Sequence, residues 1–393
     1  QLSVFLLCLM ILLLGATTYV GQGFARALRR RRDSFIPLSQ NALDYTRFEF
    51  LFDYVRKIKP EFLINAEEKE GKAENGKQKA EMEERSAGVM ERWSDGGEAE
   101  SGKLKAEITH HSNTPSLHHS NTPTLQHSTT PTLHRPDIER MEMFQANTLL
   151  PQTIARVCEL TRTPWAHVSS GSIYAGAKIL ENGGIRIERD LCRPEARRFL
   201  EAHPERVRGF TELDEPNYSF KDSCNFYSGT KALAEEAVRS HDQSYIWRFH
   251  LPFNELDEPR NFLSQLQDAY RLHDVLNSLS HLDECVGACL DLWERRGPFG
   301  AYNVVNPGAA STHEVLKMVQ RILKPARPLQ LLVYDDDGAN GHDGNNGNGA
   351  LPECLLDSSK LLRTGIKLAN VQEALERALR GWEGAGERMK AEG

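Results

Sequence analysis

The sequence lacks paired cysteine motifs and an excess of positive charge. Its seven cysteines are odd in number and scattered, and no CxxC pair occurs. This pattern indicates neither a zinc site nor a disulfide framework, and it favours a reducing, cytoplasmic location. The formal net charge of −7 argues against a general nucleic-acid binder, which is normally basic. We therefore expect no resident metal ion and no nucleic-acid partner.

The sequence also lacks a hydrophobic run of the length typical of a membrane-spanning helix. The most apolar stretch, Gln1 to Gly15, has about 15 residues, whereas a spanning helix needs roughly 20. It has neither the basic start nor the cleavage site of a signal peptide. We expect Met10–Leu14 to be a short buried strand, with Met10 as the true start of the protein, and we keep a membrane anchor as the less favoured alternative.

The first 66 residues predict alternating strands and helices. The apolar runs place strands at Met10–Leu14, Ser34–Leu38 and Glu61–Asn65. Helical periodicity places helices at Gln22–Arg30 and Phe48–Ile58. This β-α-β-α-β order predicts an α/β protein with a doubly wound parallel sheet.

Residues 67–134 interrupt this pattern. Their first part is charged and nearly free of aromatic residues, and an eight-residue repeat follows in three copies that begin at His111, His119 and His127. Such a segment cannot bury enough apolar surface to offset its ordering entropy, so we predict a disordered insert. The histidines leave metal binding as an alternative, although their spacing follows the repeat.

Regular structure is expected again from about residue 135. A flexible surface loop is predicted at 335–350, because its Gly, Asn and Asp residues lack the spacing of a calcium-binding loop. A long loop is predicted from about Gly176 to Asn225. The remaining predicted elements are the helix Asn147–Thr161, the strand Trp165–Ser169, the helix Tyr227–Ser240, and the strands Ser244–Phe249 and Ala301–Val305.

The segment Gly15–Gly21 has the context of a dinucleotide-binding turn, because it follows a strand and opens a helix. Glycine lets the backbone approach a pyrophosphate, and a helix N-terminus attracts its negative charge. Thr18 stands where a middle glycine would be expected, which leaves an ordinary glycine turn as an alternative. The predicted cofactor contacts in this turn are Gly15, Thr17, Thr18, Tyr19, Val20 and Gly21.

The choice of nicotinamide cofactor is predicted from the second strand. A cofactor without a 2′-phosphate usually meets an acidic residue there, and Phe35–Ser39 contains none. The run Arg29–Arg32 suits a 2′-phosphate, so NADPH is favoured over NAD. Alternatively, this run complements the macrodipole at a helix C-terminus. Asp44 is a candidate for an adenine contact and equally for a loop cap.

Tyr227 and Lys231 are the candidate catalytic pair, because side chains at i and i+4 share one face of a helix. A neighbouring cation lowers the pKa of a phenol, which improves acid–base catalysis near neutrality. Lys231 is alternatively a solvated helix residue. Ser170 ends a strand on the side of the sheet where α/β ligands bind, so it is placed to hydrogen-bond a substrate carbonyl. The three residues together are more specific than a YxxxK spacing alone.

Beyond these motifs, the chain resembles the extended short-chain dehydrogenase/reductases. It is especially similar to the dTDP-4-dehydrorhamnose reductase group and to the plant rhamnose synthase epimerase/reductases. The resemblance covers about residues 10–66 and 135–380. Its matching stretches are Ile64–Ala66, Arg135-Pro136, Asn225–Lys231, Pro259–Phe262, Asn277–Ser280 and Asn303–Gly308.

The resemblance implies a Rossmann-like domain in two parts, 10–66 and 135–252, with a smaller, mainly substrate-binding lobe at 253–382. It implies NADPH-dependent reduction of the C4 ketone of a nucleotide-linked 4-keto-6-deoxyhexose, and a possible homodimer. Tyr227 would protonate the alkoxide, Ser170 would polarise the ketone, and Lys231 would tune Tyr227 and bind the nicotinamide ribose. Further implied contacts are Asn65 and Ala66 for the cofactor, and Ser172, Asn225, Arg260 and Asn261 for the substrate, with Arg260 equally a structural ion-pair partner.

Several departures from the family pattern limit this prediction. Met141 and Gln265 stand where the bifunctional relatives carry a cysteine and a lysine for epimerisation, so simple reduction is favoured. The insert interrupts the family's Ala-Ala-Gly loop at Ala66, beside the cofactor, and Thr18 alters the turn. These departures leave two alternatives: a nucleotide-sugar epimerase or dehydratase with bound NAD, and a degenerate, non-catalytic nucleotide-binding protein.

Overall fold

The central strands are continuous apolar runs, as expected of parallel strands that are buried on both faces. In a computed structural model of the chain, Met10–Leu14 and Phe62–Asn65 form such strands, and only Met10 among them is less than fully buried. The structure describes residues 10–69, 135–181, 183–191, 193–222, 224–268, 272–325, 331–332 and 353–383.

The described strands, in chain order, are β1 (Met10–Leu14), β2 (Ser34–Leu38), β3 (Phe62–Asn65), β4 (Trp165–Ser170), β5 (Ala177–Glu181), β6 (Gly184–Glu188), β7 (Val207–Arg208), β8 (Ser244–Phe249), β9 (Pro252–Phe253), β10 (Leu272–His273), β11 (Leu276–Asn277), β12 (Ser280–His281), β13 (Gly300–Asn303), β14 (Ala310–Ser311) and β15 (Leu331–Leu332).

The described α-helices are α1 (Tyr19–Arg31), α2 (Phe48–Ile58), α3 (Arg135–Phe144), α4 (Leu150–Thr161), α5 (Pro194–Ala202), α6 (Phe226–Val238), α7 (Phe262–Asp268), α8 (Leu282–Glu294), α9 (Thr312–Ile322), α10 (Ser359–Leu362) and α11 (Val371–Arg380). A π-helical turn, Gln145–Leu149, joins α3 to α4.

Six strands form one parallel sheet in the order β13-β8-β4-β3-β1-β2. The direction of winding reverses between β1 and β3, because β2 lies on one side of β1 and all later strands lie on the other. Ligands of such sheets bind in the crevice outside the carboxyl ends of the strands at this reversal. The doubly wound α/β fold predicted from the sequence is confirmed. Its topology predicts a ligand site near Leu14 and Asn65, where β1 and β3 end.

Each face of the sheet has its own hydrophobic core, because alternate side chains of a strand point to opposite faces. Ile11 and Leu13 of β1 belong to the core that contains residues of α1 and α8. Leu12 and Leu14 belong to the core that contains residues of α2 and α4. Helices therefore cover both faces and leave the carboxyl edge of the strands as the place for a site.

Residues 253–382, which were predicted to be mainly a substrate-binding lobe, contribute to two separate cores. A separate core does join α7, α9 and α11 around Phe253 and Leu316. However, α8 contributes to the same core as α1, and β13 is the sixth strand of the main sheet. Residues 282–303 thus belong to the Rossmann-like part, because the chain returns to the sheet edge before it completes the lobe.

The prediction of a long loop at about 176–225 was wrong. Strands β5 and β6 pair as an antiparallel hairpin, β7 joins β5, and α5 follows the hairpin. The signal was present in the sequence as Asn182-Gly183-Gly184 between two alternating apolar segments, which is typical of a hairpin. Gly183 has a φ of +80°, a conformation that glycine adopts readily.

Several other boundaries also differ from the predictions. Helix α1 begins at Tyr19 rather than Gln22, so part of the glycine turn is helical. Residues 67–69, which were assigned to the predicted insert at 67–134, have defined contacts. Residues 70–134 and the predicted loop at 335–350 lie outside the described residues. The described chain divides into two units, one with residues 10–69 and 139–383, the other including residues 135–138.

Two kinds of feature are absent from the described residues. None of their helices is long and apolar enough to cross a membrane. Within those same ranges, no group of three or more His, Cys, Asp or Glu side chains is arranged to hold a metal ion.

A buried ion pair supports the carboxyl edge of the sheet. Arg248 of β8 and Glu235 of α6 are both fully buried, with Nη2 and Oε2 2.7 Å apart. Ser169 of β4 donates a hydrogen bond to Glu235 at 2.6 Å. Burial favours a raised pKa for Glu235, but the Arg248 charge and these hydrogen bonds hold the pKa below its usual value. The pair therefore ties α6 to β4 and β8.

We predict that Glu235→Ala lowers the free energy of unfolding by about 3–5 kcal/mol, because Arg248 is left as an uncompensated buried charge. The neighbouring Glu236 is the matched control. It is half exposed and pairs with Lys221, so Glu236→Ala should cost at most about 1 kcal/mol. Urea denaturation measures both values, and equal losses would contradict the prediction.

Candidate active site

The glycine turn after β1 is shaped by close backbone contacts. Gly15 has a φ of +70°, and a Cβ atom there would lie 2.4 Å from the backbone nitrogen of Glu67. A Cβ atom on Gly21 would lie 1.9 Å from the carbonyl oxygen of Gly15. Both positions therefore require glycine. The turn lies at the reversal point of the sheet and opens α1, which is the context predicted for binding a dinucleotide.

Thr18 has a structural role that the sequence pattern did not reveal. Its side-chain oxygen accepts a hydrogen bond from the Gly21 backbone at 3.0 Å and caps α1. The same hydroxyl lies 2.8 Å from the carbonyl oxygen of Ala66 and 3.0 Å from that of Gly15. Thr18 thus links the turn to the end of β3, where a glycine would have left no such link.

The other side chains of the turn differ in their exposure to solvent. Thr17 is exposed, whereas Tyr19 and Val20 are buried in the core under the turn. The Tyr19 hydroxyl donates to Asn254 at 2.9 Å, and burial raises the pKa of Tyr19. Tyr19 and Val20 therefore reach a bound cofactor only through their backbone atoms.

The predicted catalytic pair lies on one face of α6. The Asn225 side chain caps this helix by accepting a hydrogen bond from Ser228 N at 2.8 Å. Lys231 is fully buried, and its Nζ lies 5.7 Å from the centre of the Tyr227 ring. It also lies 3.4 Å from the carbonyl oxygen of Val168 in β4. The solvated-helix alternative for Lys231 is therefore excluded.

Glu68 joins this pair and was missed by the sequence prediction. One of its carboxylate oxygens, Oε1, lies 2.5 Å from the Tyr227 hydroxyl and 3.0 Å from Lys231 Nζ. Burial favours a raised pKa for Glu68, but Lys231, the hydrogen bond from Tyr227 and the charge of Arg260 hold the pKa below its usual value. The sequence held only an indirect signal for Glu68, because a buried lysine requires a partner charge or hydrogen bonds.

Glu67 occupies the neighbouring part of the turn. It accepts a short hydrogen bond from the buried hydroxyl of Tyr45, and its backbone N–H donates to Asn65 Oδ1 at 3.2 Å. Burial raises the pKa of Glu67, and the nearby charge of Glu68 adds to this effect. Two consecutive carboxylates therefore lie beside a turn that was predicted to bind a pyrophosphate.

Ser170 ends β4, and Ser172 lies beside it in the turn that follows. Their side-chain oxygens are 2.9 Å apart, and both residues are buried, with Ser170 8% exposed. The carbonyl of Val168, which Lys231 contacts, is two residues before Ser170 on the same strand. The structure thus brings Ser170 to the sheet edge at which Tyr227 and Lys231 lie.

Asn65 and His167 form a buried polar pair below these groups. Asn65 Nδ2 lies 3.2 Å from His167 Nδ1, and both residues are fully buried. Burial and the charge of Lys231 lower the pKa of His167 to about 3. Ala66 is also buried, and its backbone continues β3 toward the turn. Asn65 and Ala66 therefore line the floor of the candidate site rather than its open surface.

The remaining predicted residues lie at varying distances from this centre. Asp44 accepts hydrogen bonds from Thr46 at 2.5 and 3.3 Å, which matches the loop-cap alternative. Asn261 is fully buried and donates to Asn254 and Leu256, so it supports the chain rather than facing a substrate. Arg260 is exposed, and its charge reaches Glu68.

The argument for NADPH from Arg29–Arg32 was wrong. These residues end α1 and precede β2, so they lie at the amino end of the strand, whereas ligands bind at the carboxyl end. Arg31 instead pairs with Asp291 at 2.7 Å and Glu294 at 2.8 Å, and Arg30 pairs with Asp283 at 3.3 Å. Ion pairs with acidic side chains of α8 thus account for Arg30 and Arg31 of the basic run.

We predict that His167 makes the protein less stable in acid. The folded state keeps His167 neutral down to about pH 3, whereas the unfolded chain takes up a proton below about pH 6.5. The free energy of unfolding therefore falls as the pH decreases through this range. His167→Gln should reduce the loss between pH 7 and pH 5 by about 2 kcal/mol.

Urea denaturation at the two pH values measures this effect. His203→Gln is the control, because the side chain of His203 is 45% exposed. An unchanged pH dependence in the His167 variant would contradict a neutral, buried imidazole.

Comparisons with known proteins show that the chain is similar to enzymes of nucleotide-linked deoxysugars. No family profile matches the chain. The bifunctional dTDP-4-dehydrorhamnose 3,5-epimerase/dTDP-4-dehydrorhamnose reductase of Arabidopsis thaliana is 33% identical over 168 residues, 42% of this chain and 52% of that protein. A trifunctional UDP-glucose 4,6-dehydratase/UDP-4-keto-6-deoxy-D-glucose 3,5-epimerase/UDP-4-keto-L-rhamnose-reductase of the same plant is 27% identical over 239 residues, 58% of this chain and 31% of that protein. The chain thus spans about half or less of these relatives.

Two solved structures show the same fold. The L780 UDP-rhamnose synthase from Acanthamoeba polyphaga mimivirus has a TM-score of 0.63 and 15% identity, covering 95% of this chain and 99% of that one. The dTDP-4-dehydrorhamnose reductase from Bacillus anthracis, in complex with NADP, has a TM-score of 0.57 and 14% identity, covering 94% and 96%. These likenesses confirm the Rossmann-like fold, and the curated relatives confirm the resemblance predicted from the sequence motifs.

Proposed function

We propose that this protein is an NADPH-dependent reductase of the C4 ketone of a nucleotide-linked 4-keto-6-deoxyhexose. One observation carries the proposal. The Tyr227 phenol and the buried Lys231 ammonium converge on a single oxygen position, 2.5 and 3.0 Å away, at the carboxyl edge of the sheet. Such a position beside the reversal point suits proton transfer to a bound ligand. The names of the relatives support the substrate class.

The residues at the glycine turn fit a nicotinamide dinucleotide. Gly15 and Gly21 place no side chain at either end of the turn, and the N-terminus of α1 favours a pyrophosphate. Lys231 would hold the nicotinamide ribose, and Asn65 and Ala66 would line the floor. Asp44 is retained as a proposed adenine contact. In the positions they have here, the Glu67 and Glu68 carboxylates would repel an anionic ligand.

The choice of NADPH rests on the end of β2. Leu38 is followed by Ser39, Gln40 and Asn41, with no carboxylate to accept a hydrogen bond from a ribose 2′-hydroxyl or to repel a 2′-phosphate. The NADP complex of the Bacillus anthracis reductase agrees with this choice. Arg29–Arg32 no longer contributes to it.

The proposed reaction converts a ketone into an alcohol. When bound, NADPH would supply the hydride that forms the new C4–H bond and would be oxidised to NADP⁺, while the electrons of the C4=O π bond take up a proton to form the O–H bond. Tyr227 donates its phenolic proton to the developing alkoxide, and solvent restores that proton. The Lys231 charge favours the intermediate phenolate. Ser170 donates a hydrogen bond to the ketone oxygen and stabilises the charge that develops there.

Ser172, Asn225 and Arg260 are the proposed substrate contacts. The exposed guanidinium of Arg260 suits the diphosphate of a nucleotide sugar, because such groups bind phosphate by charge-assisted hydrogen bonds. We retain Asn261 only as a residue that positions this segment. A homodimer stays a prediction, as does a cytoplasmic location, which agrees with the five free thiols among the described cysteines.

Reduction without epimerisation is proposed because of the side chains at two positions. Met141 is 59% exposed, and Gln265 is exposed and donates to the Pro259 carbonyl at 3.1 Å. Neither side chain can act as an acid or base. The product should therefore keep the C3 and C5 configurations of the substrate supplied.

We predict that Tyr227→Phe lowers kcat by about 10²–10⁴-fold, because the variant cannot donate the proton. The Kd for NADPH should not rise, since the removed hydroxyl donates to Glu68 and is proposed to act on the substrate. NADPH oxidation by absorbance, across dTDP- and UDP-linked 4-keto-6-deoxyhexoses, measures the effect. Tyr218→Phe, at a half-buried tyrosine, is the control. Purified protein that carries tightly bound NAD and consumes no NADPH would instead support an epimerase or dehydratase.

We also predict at least a tenfold lower Kd for NADPH than for NADH. Ser39→Asp should reverse this preference, because a carboxylate after β2 repels the 2′-phosphate and accepts the ribose hydroxyl. Ser34→Asp adds the same charge at the other end of β2 and is the matched control. Calorimetry with both cofactors on the unaltered chain and the two variants measures the six affinities. An unchanged preference in Ser39→Asp would place the adenosine elsewhere.

A further inference from the structure

The segment 66–69 crosses the glycine turn and is held in place along its length. The Ala66 carbonyl oxygen lies 2.8 Å from the Thr18 hydroxyl, and the Glu67 N–H donates to Asn65 at 3.2 Å. At the far end, Asn147 accepts from the Lys69 backbone at 3.0 Å and donates to it at 2.8 Å. Glu68 therefore projects from a backbone that is fixed on both sides.

The Glu68 carboxylate occupies the anchoring position of the catalytic pair. A single oxygen contacts both the Tyr227 hydroxyl and Lys231 Nζ, and Lys231 has no exposed surface with which to meet a second ligand. In the proposed function, the nicotinamide ribose needs the same ammonium. A carboxylate and a ribose hydroxyl cannot share that position.

Charge opposes the cofactor as well. Glu67 and Glu68 add carboxylates beside the turn, where a pyrophosphate would have to lie against the N-terminus of α1. Like charges at such short range and in a partly buried site destabilise each other. The side chain of Glu68 is 19% exposed, so it has a route toward solvent and toward Arg260, whose charge already acts on it.

We infer that Glu68 is an internal ligand of Tyr227 and Lys231, and that a nicotinamide dinucleotide must displace its carboxylate in order to bind. This inference rests on the proposed function, because it concerns the same site. It makes Glu68 a determinant of cofactor affinity. In the free protein the Glu68 carboxylate fills the position that the cofactor needs. The affinity for cofactor is therefore reduced by the free energy of the Glu68 contacts.

The inference predicts opposite changes in stability and affinity. Removal of Glu68 leaves Lys231 without its ion-pair partner, so the cofactor-free protein should melt at a lower temperature. The same change frees the anchoring position, so the Kd for NADPH should fall by at least about tenfold. A merely structural ion pair would lower the stability without improving the affinity.

The experiment compares the full chain with Glu68→Ala, Glu68→Gln and Glu159→Gln. Glu68→Gln keeps a carbonyl oxygen near Lys231, so it remains informative if the alanine variant does not fold. Glu159 is an exposed carboxylate near the end of α4 and controls for the loss of one negative charge. Calorimetry gives the Kd for NADPH and NADH, and thermal melting with and without NADPH gives the stability.

Tighter NADPH binding by both Glu68 variants, together with a lower melting temperature without cofactor and unchanged values for Glu159→Gln, supports the inference. An equal or higher Kd in the Glu68 variants, with binding by the unaltered chain, overturns the inference alone. Failure of every protein, including the Glu68 variants, to bind either dinucleotide overturns the proposed function, and the inference with it.

Discussion

The buried ammonium of Lys231 is the constraint on which the site depends. An unpaired charge in the protein interior is costly, so the chain must supply a counter-charge or hydrogen bonds. Here the Val168 carbonyl and the Glu68 carboxylate supply them. The ammonium thereby connects α6, β4 and the segment after β3. Any ligand that uses Lys231 must replace one of these contacts.

Further contacts hold residues 66–69 beside the glycine turn. Thr18 ties the turn to Ala66, and Asn147 holds the backbone of Lys69. The residue that departs from the expected glycine pattern is thus one that stabilises the altered loop. The departure that suggested a degenerate site is also compatible with a site whose cofactor affinity is adjusted by an internal ligand.

A second buried ion pair, Glu235 and Arg248, supports the carboxyl edge of the sheet. It contacts Ser169, the neighbour of Ser170, so the position of the proposed substrate-polarising serine depends on the packing of α6. Proton transfer requires groups that are held close to their reacting positions. The two ion pairs hold the ends of β4 and the face of α6 together, which serves that requirement.

Local patterns in the sequence determined the parallel fold, the glycine turn and the pairing of Tyr227 with Lys231. These features depend on residues that are near one another in the chain, where apolar runs and helical spacing specify the geometry. Tertiary structure decided the rest. Glu68 lies 159 residues before Tyr227, and the basic run after Leu28 meets its acidic partners only across the packed helices. No local pattern encodes such contacts, because strand order and helix packing alone bring these residues together.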